Sequence, residues 1–199
     1  MRIFNYNPAI MDLNNYYQSI ESNNTVKGVF INVVLNESFD LEVFFPDINV
    51  HMPLTEFLNQ FKNSKKLIIM NMLLVYQLVT DKTSLEISNY NNVFVQKLIQ
   101  VISKYPNEFY LCSISTSILY FLKINPLPYK IGTIITRADL GFIDVDFYVF
   151  SEYFINIEFI NSLLDRNKEV MVFPDNSDLI NNLPDDIKNR IDYIIQTPS

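Results

Sequence analysis

The only histidine, His51, stands four residues beyond Asp47. A carboxylate and an imidazole at that separation can give and take protons near neutral pH if the loop between them folds over a site. The alternative is an exposed loop histidine ahead of Pro53. The residues favour it, because a lone imidazole without placed partners seldom signals catalysis. Glu152, Arg137 and Asp139 follow short apolar runs, and Asn5, Asn32, Asn71 and Asp175 recur within or just past others. Asp47, His51 and Glu152 are thus the candidate acid–base residues. Asn5, Asn32, Asn71, Arg137 and Asp175 are candidates to line a pocket for a small neutral or weakly polar ligand. A loop ion pair between Arg137 and one acid is the competing reading. Cys112, beside Ser113 in an apolar run, reads as a buried, inert thiol, since a nucleophile would need a basic neighbour and no His is near it in sequence.

The hydropathy pattern supplies elements to hold these residues. Strand-length apolar runs occur at Ile3–Tyr6, Gly28–Val34, Leu67–Met72, Phe109–Ile114, Lys130–Ile135, Phe147–Phe150, Glu169–Phe173 and Tyr193–Pro198. Between them lie helical stretches: Leu13–Ile20 behind the N-cap residue Asp12, a helix with Leu54, Phe57, Leu58 and Phe61 at spacings of three and four and Pro53 just inside its start, and one burying Val93, Val95, Leu98, Ile99 and Ile102. Thr116–Leu122, Ile157–Asp165 and Leu179–Ile191, the last interrupted at Pro184, complete the set. Asn36-Glu37-Ser38 can turn the chain so that Leu41–Phe45 runs back beside the second strand. This order predicts an α/β fold, a small (β/α)8 TIM barrel forming one domain over residues 1–199. The sequence stops just after the eighth run, so the last outer helix is missing, and the uncovered flank points to a homodimer.

Composition narrows the partners. With 15 basic and 22 acidic residues the net charge is −7, a surface that repels phosphate backbones and excludes nucleic acid. The most apolar stretch, Leu67–Val79, is broken by Asn71 and Gln77 and falls short of the ~20 residues of a membrane span. One cysteine and no leader-like N-terminus predict a cytoplasmic protein. Abundant Asn and Ile with almost no Ala reflect an AT-rich genome more than a functional demand. Tyr16, Tyr17, Tyr148 and Phe150 read as packing residues among 12 Tyr and 16 Phe, and Asp185-Asp186 as a solvated helix face.

Several segments together resemble the glycerophosphodiester phosphodiesterases. Ser113-Ile114-Ser115, Ile118-Leu119, Asn125-Pro126 and Lys130-Ile131-Gly132 are similar to the family's strand, short helix and Pro. Asp144-Val145-Asp146-Phe147, Phe154-Ile155-Asn156 and Glu169-Val170-Met171-Val172-Phe173-Pro174-Asp175-Asn176 follow its Gly-x-x-Val-x-x-Trp-Thr-Val-Asn layout. Asp192-Tyr193-Ile194-Ile195-Gln196-Thr197-Pro198 stands where the family closes with Asp-Gly-Ile-Ile-Thr-Asp-x-Pro.

The resemblance also implies losses. The family's His-Arg-Gly falls on Asn5, Tyr6 and Asn7, its next Glu near Ile10, and its strand-two Glu-x-Asp on Phe30 and Asn32. Its second His falls on Pro46, leaving Asp47, its strand-three Glu-x-Lys on Met70 and Met72, and its Trp on Phe173. A divalent cation needs hard, preferably anionic oxygens, and one neutral amide replaces several carboxylates poorly. With only Gly28, Gly132 and Gly141, the chain also lacks the Gly-rich loops that let backbone N–H groups approach phosphate. The expectation is a degenerate phosphodiesterase-like barrel, a pseudoenzyme with no metal and no cofactor, binding a small polar ligand or a protein partner. Two alternatives stand beside it. One is an active phosphoric diester hydrolase with a rearranged site at Asp47, His51 and Glu152, requiring Mg or Ca. The other is an unrelated small-molecule enzyme on a similar barrel.

Overall fold

The computed structural model describes residues 2–5, 12–46, 49–74, 82–136, 143–151, 154–173 and 183–196. In chain order the strands are β1 (Arg2–Asn5), β2 (Val26–Leu35), β3 (Leu41–Phe45), β4 (Val50–Pro53), β5 (Leu67–Met72), β6 (Phe109–Ser113), β7 (Lys130–Ile135), β8 (Phe147–Ser151), β9 (Glu169–Phe173) and β10 (Tyr193–Gln196). The helices are α1 (Leu13–Ser22), α2 (Leu54–Phe61), α3 (Ser84–Ile102), α4 (Thr116–Ile124), α5 (Ile157–Leu164) and α6 (Asp185–Lys188). The result is a mixed α/β fold in which parallel strands alternate with helices.

β1 pairs in parallel with both β10 and β2. From β2 the parallel pairing passes through β5, β6, β7, β8 and β9 to β10. The hairpin β3–β4 is antiparallel and joins β2 through Asn32–Leu35, beyond the residues of β2 that meet β1. Residues of β2, β5, β6, β8 and β9 alternate between two largely buried faces, whereas β4 is mostly exposed. The outer face packs under the helices: Val29, Ile31, Val33, Ile68, Met70 and Met72 meet Leu54, Phe57, Leu58 and Phe61 of α2 and the buried stripe of α3. The inner face forms a separate cluster around Ile3, Phe30, Ile69, Cys112, Phe147 and Met171. Burying all four apolar residues of α2 at 0% exposure contributes about 1.5–3 kcal/mol for each, which makes α2 a main anchor of the outer layer.

Local chemistry sets the helix ends. Asp12 accepts from Asn15 N at 2.9 Å, and Asn156 accepts from Phe159 N at 3.0 Å. Thr83 and Glu86 form a reciprocal capping box at the start of α3. Asn167 closes α5 with φ 57°, a left-handed position that Asn tolerates.

The structure corrects four details. β4 is an extra strand, so Pro53 ends a strand and caps α2 instead of lying inside it. In α3 the buried stripe is Tyr90, Asn91, Phe94, Val95, Leu98 and Ile102, whereas Val93 is exposed and Ile99 only partly covered. Both faces of this helix carry apolar residues, so the choice of stripe was ambiguous by one position. Ile114 lies past the end of β6 and is exposed. α6 starts only after Pro184, and residues 179–182 of the expected helix lie outside the described residues. No helix among the described residues is long and apolar enough to cross a membrane.

Candidate functional site

In open and closed parallel sheets alike, ligands meet the carboxyl ends of the strands. On the inner face at that end, Asn32 of β2 lies directly opposite Asn71 of β5. Asn71 Nδ2 donates to Asn32 Oδ1 at 2.8 Å. Both residues are buried, at 8% and 6% exposure, and Asn71 Oδ1 has no hydrogen-bond partner. One step further inside, Phe30 of β2 meets Phe173 of β9 edge to face, with 5.9 Å between ring centroids. These strands are not neighbours in the sheet, so the two rings meet across its inner face.

The row continues onto the hairpin. Asn32 is opposite Phe44, and Phe44 is opposite His51. Directly opposite residues share a face, so His51, Phe44, Asn32 and Asn71 stand side by side on β4, β3, β2 and β5. The imidazole stacks on Phe44 at 4.6 Å, and its Nδ1 lies 2.9 Å from Glu42 Oε2. Glu42 is held from the other side by Asn36 Nδ2, which donates to Oε1 at 2.7 Å. His51 is exposed, as the sequence favoured, but it is a strand residue with a partner and not a lone loop histidine. β4 turns it into a strand residue with a carboxylate partner that periodicity alone did not reveal.

Other expected residues are placed as follows. Cys112 is fully buried on the inner face, and burial pushes its thiol pKa well above the ordinary range, in keeping with an inert side chain. Met70 and Met72 point to the outer, helix-covered face. Asn71, between them, is the inward residue of this strand. Ser113 is structural: its Oγ donates to Met72 O at 2.7 Å and accepts from Ser115 N at 3.1 Å. Asn5 ends β1 opposite Phe30 in the backbone pairing. Asp47, Arg137, Asp139, Glu152 and Asp175 lie outside the described residues. Among the described residues, no group of three or more His, Cys, Asp and Glu is placed to hold a metal ion.

No known family model and no curated protein matches the sequence. Solved structures do. An Oleispira antarctica phosphodiesterase, determined with its product sn-glycerol-3-phosphate, superposes with a TM-score of 0.74 at 10% identity, over 99% of this chain and 92% of that one. A Galdieria sulphuraria protein assigned as a glycerophosphodiester phosphodiesterase gives 0.71 at 12% identity, covering 98% and 92%. The Parabacteroides distasonis glycerophosphodiester phosphodiesterase gives 0.66 at 12%, covering 94% and 84%. The chain has the fold of the glycerophosphodiester phosphodiesterases.

A second polar cluster, not anticipated from sequence, lies at the opposite, amino ends of the strands. Lys130 of β7 pairs with Glu169 of β9, and its Nζ lies 4.9 Å from the ring centroid of Tyr110. Tyr110 OH stands 3.5 Å from Glu169 Oε1. Burial raises the pKa of Tyr110 and Tyr193 and keeps both phenols neutral. No periodicity flags such a cluster, since its members come from the starts of separate strands. On the helix side, a groove of about 390 Å³ is lined by Asp40, Glu42, Thr55, Lys97 and Gln100, two acidic side chains to one basic.

Proposed function

We propose that this protein is a small (β/α)8 barrel of the TIM type that keeps the glycerophosphodiester phosphodiesterase fold without diester hydrolysis, and acts by binding. The observation that carries this reading is the Asn32–Asn71 pair. The resemblance sets the family's strand-two carboxylates at Phe30 and Asn32, and here that face offers an aromatic ring and two neutral amides. Amides hydrogen-bonded to each other lack the charge that draws a divalent cation out of its hydration shell. Without the cation, neither the developing charge on the phosphoryl oxygens nor the leaving alkoxide is stabilised. A single buried cysteine requires no oxidising compartment, in keeping with a cytoplasmic setting.

The test is titration calorimetry with Mg²⁺, Ca²⁺ and Mn²⁺, with and without sn-glycerol-3-phosphate, beside an assay of glycerophosphodiester hydrolysis. The expected result is neither metal-linked phosphate binding nor turnover. Metal-dependent turnover would sink the reading.

One observation favours a second reading, diester hydrolysis through a rearranged site. The chain Asn36–Glu42–His51 fixes an imidazole in the manner of an oriented general base. In that case His51→Gln would abolish a turnover that the first reading says does not exist, with Asp47 and Glu152 the next residues to replace.

A further inference from the structure

The amide pair leaves hydrogen-bonding capacity unspent. Two carboxamides carry four N–H bonds and two carbonyl oxygens, and the bond from Asn71 to Asn32 uses one of each. Whichever way the two amides are turned, one carbonyl oxygen and several N–H bonds remain. As placed, that oxygen is Asn71 Oδ1, buried and without a partner. Buried carbonyls are seldom left so, because the lost hydration goes uncompensated. The site asks for a group that donates and accepts at once.

Charge and shape restrict that group further. The row of His51, Phe44, Asn32 and Asn71 contains no lysine or arginine. Glu42, beside it, is already matched by His51 and Asn36. Set against these described residues alone, a phosphate or carboxylate would lose its hydration without a counter-charge. Phe44 gives the row an apolar step, and three strand spacings make it roughly 14 Å long, enough for a sugar ring. With Nδ1 turned to Glu42, the other ring nitrogen of His51, Nε2, is left for a polar group of the ligand.

We infer that this face is a binding site for a neutral sugar or related polyol. Vicinal hydroxyls meet the Asn32–Asn71 pair, and the C–H face of the ring lies along Phe44. Each hydroxyl both donates and accepts, which is what the amide pair lacks. The inference rests on the reading of an uncharged, metal-free site given above, and it names that site's ligand class.

The experiment is an NMR titration of the ¹⁵N-labelled full chain with glucose, galactose, ribose and sorbitol, and in parallel with glucose 6-phosphate and inorganic phosphate. The side-chain NH₂ signals of Asn32 and Asn71 are followed. At least one neutral compound is expected to move them saturably, with the phosphates weaker. Asn71→Leu should weaken that binding by about tenfold or more, as expected when a buried hydrogen-bonding partner is lost. Asn92→Leu, at an exposed position of α3, should leave it unchanged. If the signals stay still for every neutral compound, the unpartnered oxygen is served by water alone and the inference fails. It fails also if phosphate moves them more than sugar does. If Asn71→Leu does not fold, the titration of the parent protein decides alone. Metal-dependent diester turnover would overturn the proposed function whatever the titration shows, whereas its absence together with silent signals would overturn only the sugar site.

Discussion

Asn71 donates from Nδ2 to Oδ1 of Asn32 at 2.8 Å, joining β5 to β2 by side chains at the point where their backbones are also in register. Cutting such a bond from one side leaves a buried amide with nothing to pair with, a cost of about 1–3 kcal/mol. Asn71→Leu should therefore lower stability by about that much, and Asn32→Leu by a similar amount. Replacing both residues together should cost less than the sum, since two apolar groups of like shape need no partner. Urea denaturation of the four proteins checks this. Additive losses would mean that the amides do not act as a pair.

Gly132 faces Phe147 so closely that a Cβ there would lie 2.2 Å from the ring. The ring is fully buried, hemmed in by the inner cluster, and has no room to retreat. Gly132→Ala should cost about 1–3 kcal/mol through overpacking. Adding Phe147→Leu should recover part of that loss by opening space where the methyl points. Thermal unfolding followed by circular dichroism would report both, and a harmless Gly132→Ala would show that the strands can part at this point.

How far the sequence carried depended on whether a feature was local. β5, β7 and β9 lie where their apolar runs predict, and α1 starts after Asp12 as its capping chemistry requires. The Thr83-x-x-Glu86 capping box that starts α3 was a local signal that the sequence reading passed over. Strand β4 was not legible: Val50-His51-Met52-Pro53 is too short and too polar to show an alternation, and only pairing with β3 makes it a strand. His51 gained its partner Glu42 by that pairing. Asn32 and Asn71 were picked out one by one, but their contact spans 39 residues and needs the register of two strands. The Lys130–Glu169 cluster was missed for the same reason, with 39 residues between its charged members.

Lys130 and Glu169 test how much that cluster holds the strand ends together. Burial alone would lower the Lys130 pKa, but its bonds to Glu169 and Tyr110 outweigh burial and keep the amine charged. The lysine side chain is 44% exposed, so solvent screens part of the attraction. Lys130→Met should cost about 1–2 kcal/mol, mainly because Glu169, 24% exposed and with Oε2 unpartnered, is left without a counter-ion. Lys130→Met with Glu169→Met should regain most of this. If the double variant is the weaker one, the pair itself is stabilising.

Asp192 supplies a pH signature. Its Oδ2 accepts from Val170 N at 2.8 Å just before β10 begins, yet burial raises its pKa above the ordinary 3.8, with the charge of Glu169 adding to the rise. The N–H of Val170 and the charge of Lys130 pull the other way without prevailing. The folded protein thus holds this proton more tightly than the unfolded chain. Between the ordinary value and the raised one the native state binds more protons, so the contribution of Asp192 to stability falls as pH rises through that window and is greatest below it. Asp192→Asn keeps an acceptor for Val170 N–H and removes the titration. The variant should be more stable than the parent near pH 7, with the advantage shrinking as pH falls and gone by about pH 3, where the parent carboxyl is protonated in both states. Denaturation midpoints of the two proteins across this range decide the matter. An advantage that grows toward acid would mean that the fold favours the charged carboxylate, with the Val170 hydrogen bond outweighing burial.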